Sequence, residues 1–117
     1  MKILIADKLS PKPIAALDKI GADIISNPDL KAEELSEAIG NANVLIVRST
    51  KVYADTIKAG KSLELIIRAG AGVNNIDLEK ASSSGVYVAN CPGKNSDAVA
   101  ELALGHIIAC DRRIVDA

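Results

Sequence analysis

A chain of 117 residues, 49% hydrophobic and 25% charged, has the size and composition of one globular domain. Its 14 Lys and Arg against 15 Asp and Glu leave a net charge of -1, so no broad positive field is present to hold a nucleic-acid backbone, although a small anion can still be bound locally. No apolar run reaches the roughly 18 residues of a membrane-spanning helix, and the start meets Asp7 and Lys8 too soon for a signal peptide, so we expect a cytoplasmic protein with no membrane partner.

The two cysteines, Cys91 and Cys110, are too few for a disulfide framework and form no CxxC pair. With no Phe or Trp and two Tyr, the core must be filled by Ile, Leu, Val and Ala, which suits a parallel sheet covered by helices. The same composition leaves almost no aromatic surface for stacking bases.

In chain order, residues 3–6, 22–26, 43–47, 63–67 and 86–89 are short runs rich in Ile, Leu and Val, separated by segments of helical period. Ser10-Pro11 opens a helix over about 11–20, with Ile14, Leu17 and Ile20 as its apolar stripe and Gly21 at its end. Leu35, Ala38 and Ile39 mark the buried side of a second helix stopping at Gly40, and Tyr53, Thr56 and Ile57 that of a third stopping at Gly60. Asp77 caps a shorter helix ending before Gly85. The strands lack clean apolar/polar alternation, which argues for helices on both faces. This pattern predicts an α/β fold with a flavodoxin-like, doubly wound, five-strand parallel sheet.

The last segment differs. Asn95 or Ser96 caps a helix running to about Val115, roughly 30 Å long at 1.5 Å per residue. Asp97 and Glu101 near its start and Arg112 and Arg113 near its end complement the helix dipole. Val99 to Cys110 is almost wholly apolar apart from His106. Such a helix wants partners on most sides, and the 94 residues before it can cover one, so we expect it to pack against a second domain or subunit.

Ligands of open parallel sheets gather at the carboxyl ends of the strands. Val44-Leu45-Ile46-Val47 is followed by Arg48-Ser49-Thr50, and Leu65-Ile66-Ile67 by Arg68-Ala69-Gly70-Ala71-Gly72. On neighbouring strands the two guanidinium groups overhang one crevice, with forked donors suited to carboxylate or phosphate; the competing reading pairs each arginine with a local carboxylate or helix end. Gly70-Ala71-Gly72-Val73-Asn74-Asn75 can bring backbone N–H groups close to an anion. Asn75 stands where a dinucleotide fingerprint would place its third glycine, which favours a substrate-anion loop over a cofactor loop. Lys94, in a Pro-Gly turn just before the long helix, is placed to meet an anionic ligand, with simple solvation the favoured reading. His106 and Cys110, four apart, share a helical face, but two ligands do not make a metal site, and neither cysteine has an activating partner. A phospho-accepting receiver domain of the same topology needs an Asp at the end of its third strand, where Arg48 stands here.

Three segments, Val47-Arg48-Ser49-Thr50-Lys51-Val52, Arg68 through Asp77, and Asn90 through Ser96 with Ala100-Glu101-Leu102, resemble the D-isomer-specific 2-hydroxyacid dehydrogenases. The resemblance spans the whole chain but about the first third of such an enzyme. It implies a substrate-binding domain over 1–94 and a crossing helix over 95–117 that leads into a Rossmann NAD-binding domain outside this segment. It also implies substrate binding by Arg48, Ser49 and Arg68 and by the N–H groups of Ala71, Gly72 and Val73. Ala71 and Val99 would border the NAD cofactor, and the long helix would form a homodimer contact. The catalytic His, Arg and carboxylate would lie downstream, leaving no catalytic residue here and the segment inactive alone. Within the family the motifs lean towards oxidation of phosphorylated 3-phosphoglycerate; the alternatives are a glyoxylate or hydroxypyruvate reductase, or a stand-alone anion-binding module.

Overall fold

The computed structural model describes residues 1–116. Five strands, β1 (Lys2–Ile5), β2 (Asp23–Ser26), β3 (Val44–Val47), β4 (Leu65–Arg68) and β5 (Tyr87–Ala89), form one all-parallel sheet in the order β2-β1-β3-β4-β5. This is the flavodoxin-like order that the alternating pattern predicts. Between them run α1 (Pro11–Lys19), α2 (Leu35–Ala38), α3 (Ala54–Ala59) and α4 (Leu78–Ser83), and α5 (Ser96–Asp111) follows β5.

Alternate strand residues supply two cores. Leu4, Leu45, Val47 and Ile66 face Leu35 and Ile39 around α2, Ile57 of α3 and Ala81 of α4, while Ile3, Ile5, Val44 and Ile46 face Ile14 and Leu17 of α1. All four residues of β3 are buried, which explains why its sequence shows no alternation. Helices thus lie on both faces, as expected, but α1 alone serves the second. Beyond its edge an apolar trough of about 490 Å³ remains over Ile46, Ile67, Ala69 and Cys91.

Helix ends follow their residues in part: Ser10 and Asn95 stand at the starts of α1 and α5 but make no side-chain cap bond. Gly21 and Gly40 take φ of 78° and 46°, the left-handed conformation that only glycine enters cheaply. Asp77 caps α4 through a 2.9 Å bond from the Lys80 N–H.

Three expectations need correction. Ala38 is exposed, because α2 is a single turn in which the pair Leu35 and Ile39 already fills the sheet-facing direction. Tyr53 is 45% exposed, because it precedes α3 in extended conformation and so does not share the helical face of Thr56 and Ile57. The last helix stops at Asp111 rather than about Val115, its end set by Arg113 at φ 50°.

The preceding residues cover no side of α5. The helix packs against none of the other elements, and its Val99, Leu102, Leu104, Ile107 and Ile108 are each more than half exposed.

Candidate functional site

Parallel pairing of β3 with β4 sets Val47 opposite Arg68, so Arg48 and Arg68 leave adjacent strands at one end of the sheet. Both line a cleft of about 650 Å³, together with Ser49, the 69–72 loop, Cys91, Lys94 and Asn95. Three cations and no carboxylate line it. Lys94 also lines the cleft, just after the turn at Gly93, φ 72°.

The two arginines differ in their commitments. Arg68 donates from Nε to the carbonyl of Arg48 at 3.0 Å and from Nη1 to the carbonyl of Gly72 at 2.8 Å. It stitches the two loops together and retains three of its five N–H donors. Arg48 makes no side-chain hydrogen bond or ion pair among the described residues. Its guanidinium is available to a ligand.

The glycine loop is built from its carbonyls inward. Asn90 Nδ2 donates to the Ala71 carbonyl at 2.6 Å, Arg68 to that of Gly72, and Ile76 N–H to that of Val73 at 3.1 Å. The N–H groups of Ala71, Gly72 and Val73 have no acceptor among the described residues. Three successive amides are thereby left without an internal acceptor and can serve an anion. Gly70 and Gly72 let the Arg68 guanidinium pack closely: a Cβ on either would sit 3.2 Å from Arg68 Nη1, so the guanidinium would have to shift. Val73 is half-buried and, like Val99 on α5, does not line the cleft; Ala71 lies exposed on its rim.

Side chains that the sequence reading left unassigned hold this frame. Asp7, just after β1, accepts at Oδ2 from the N–H groups of Arg48 (2.7 Å), Ser49 (3.1 Å) and Thr50 (3.0 Å). Partial burial pushes its pKa up, and the amides of Arg48 and Thr50, with the Thr50 side chain and the Ser49 amide, outweigh that and hold it below the usual carboxylate range. Asn75 Nδ2 donates to the Thr50 carbonyl at 2.8 Å, and Val52 N–H to that of Asn75 at 2.8 Å, so the Arg48 turn and the glycine loop are joined again beyond the cleft. The only sequence signal for these contacts was the presence of short polar residues beside the strand ends.

Comparison with known proteins follows the same lines. Residues 3–109 match the family of D-isomer specific 2-hydroxyacid dehydrogenases, catalytic domain. A hydroxypyruvate reductase of Thermotoga maritima is 44% identical over 86% of this chain and 36% of its own length. A D-3-phosphoglycerate dehydrogenase of Methanocaldococcus jannaschii is 43% identical over 100% of this chain and 22% of its own. Among solved structures, a 3-phosphoglycerate dehydrogenase of Entamoeba histolytica with bound NAD+ superposes with a TM-score of 0.82 at 35% identity, over 93% of this chain and 38% of that one. The chain thus spans between a fifth and two fifths of the relatives it matches.

Proposed function

The chain belongs to the D-isomer-specific 2-hydroxyacid dehydrogenase family, and from that premise we propose that it supplies the substrate clamp of an NAD-dependent dehydrogenase converting 3-phosphoglycerate to 3-phosphohydroxypyruvate, in serine synthesis. The observation that carries this reading is the cleft's charge. Three free amides stand beside Arg48, Arg68 and Lys94 with no acid among the lining residues. A phosphorylated hydroxyacid brings a carboxylate and a phosphate of about -1.5 to -2 charge, which matches three cations better than a singly charged acid does.

In this reading the amides of Ala71, Gly72 and Val73 hold the carboxylate, and Arg48, with Ser49 and the remaining donors of Arg68, holds the charged substrate. C2 is left between them. NAD, when bound, supplies the hydride acceptor for C2. Toward it the chain offers Ala71 and Val99, small apolar side chains exposed on the cleft rim and on α5, which suit the face of a flat ring. Asn75, tied to Thr50, closes the loop where a dinucleotide site would open at a third glycine, so the cofactor's phosphates belong to a Rossmann domain beyond this segment. The parts are then a substrate domain over 1–94 and a crossing helix over 95–117 that also forms a homodimer contact.

A second reading, reduction of hydroxypyruvate or glyoxylate, rests on the likeness to the Thermotoga reductase. The test is NAD-linked turnover by the full-length gene product with 3-phosphoglycerate, hydroxypyruvate and glyoxylate. Preference for the phosphorylated acid supports the first reading; turnover of the unphosphorylated acids alone supports the second. No turnover of any, with phosphate still bound by this chain, leaves a stand-alone anion-binding module.

A further inference from the structure

The turn from Arg48 to Thr50 leaves the end of β3 with no strand or helix to fix it, yet both sides of its backbone are held. Its three N–H groups converge on Asp7 Oδ2, and the Arg48 carbonyl accepts from Arg68 Nε. Asp7 makes no ion pair with the Arg48 guanidinium among the described residues. Its negative charge is absorbed by main-chain dipoles, so the positive charge over the cleft stays uncompensated. A long side chain with no partner of its own samples several rotamers, and a fixed backbone sets the region that they cover.

We propose that Asp7 is a positioning residue for Arg48: by binding the arginine's backbone rather than its side chain, it aims an unpaired guanidinium over the anion cleft. The same contact has a second effect. By filling the amide cluster of the 48–50 turn with an internal carboxylate, the fold leaves the Ala71–Val73 amides as the free cluster beside that arginine. The inference rests on the cleft being an anion site, as proposed above.

The test is a double-mutant cycle in the full-length gene product, with 3-phosphoglycerate affinity measured by titration calorimetry in Asp7→Ala, Asp7→Asn, Arg48→Ala and the double variant D7A/R48A. Asp7→Ala should weaken binding about tenfold and Asp7→Asn, which keeps an acceptor oxygen, by a few-fold. In the Arg48→Ala background Asp7→Ala should cost clearly less, because most of its effect passes through that arginine. Equal losses in both backgrounds, or undiminished binding in a folded Asp7→Ala variant, would overturn the proposal. Failure of the unsubstituted full-length protein to bind refutes the anion site instead. The positioning claim is then decided by hydrogen exchange: Arg48–Thr50 amides should lose protection in Asp7→Ala while sheet amides keep theirs, and unchanged protection refutes it.

Discussion

Arg68 illustrates what a residue type says and what it withholds. An arginine at a strand end beside glycines announces a planar, forked donor near backbone, and the sequence placed Arg48 and Arg68 in one crevice. It could not say which carbonyls would turn toward which guanidinium, and that decides that Arg68 is partly spent on Arg48 and Gly72 while Arg48 is not. Gly70→Ala tests the arrangement. The added Cβ would lie 3.2 Å from Arg68 Cζ, so the guanidinium must retreat by a few tenths of an ångström. We expect a stability loss under about 1 kcal/mol, since the neighbour is the end of a flexible side chain, but a several-fold loss of phosphate affinity in titration calorimetry; wild-type affinity would show that the stitch is dispensable. Asp7 was invisible as an anchor for a similar reason, its three donors lying 41 to 43 residues away. Its lowered pKa fixes a pH dependence. The folded state favours the ionised form, so the stabilisation is full above the ordinary carboxylate pKa of about 3.8 and is lost as pH falls through the lower folded value. Thermal melts should therefore show a gap between wild type and Asp7→Asn that is constant from about pH 7 to pH 5 and closes below about pH 4. A gap independent of pH down to acid unfolding would mean that the contact does not depend on charge.

At the scale of elements the chain was largely readable, because period, glycine stops and caps are local signals. Each strand lies within two residues of its apolar run, and parallel order follows from helix-bearing connections long enough to cross over. The error at Tyr53 comes from extending a helical period past the end of a helix of 6 residues, and that at Ala38 from reading a full stripe into a helix of 4, where Leu35 and Ile39 already fill the sheet-facing direction. Short helices lean on their caps and on single buried side chains. In α4 those are Asp77, whose carboxylate takes the Lys80 N–H, and Ala81, 1% exposed against the sheet. Asp77→Ala should cost about 1 kcal/mol, read as a lower urea midpoint at unchanged slope. A changed slope would show instead that α4 comes away from the sheet as a unit.

At the scale of the molecule, α5 sets the behaviour. A compact chain of this length has a radius of gyration of about 13 Å, whereas this one has 17.4 Å and extends 55 Å along its long axis. The helix stands away from the sheet with apolar side chains on every side, which the sequence signalled through its nearly unbroken run from Val99 to Cys110. What composition could not show was that the first 94 residues leave all of it uncovered, since their apolar residues are used in the two sheet cores. Surfaces of this kind are rarely left bare by soluble monomers. The 117-residue chain should therefore self-associate in sedimentation velocity and bind a hydrophobic dye, while a chain ending at residue 94 should do neither. That truncation should also melt close to the full chain, because α5 contributes no buried residue to either core. A strictly monomeric, dye-silent full chain would mean that the helix folds back onto the apolar trough beside α1. A large drop in melting temperature on truncation would mean that it already supports the sheet.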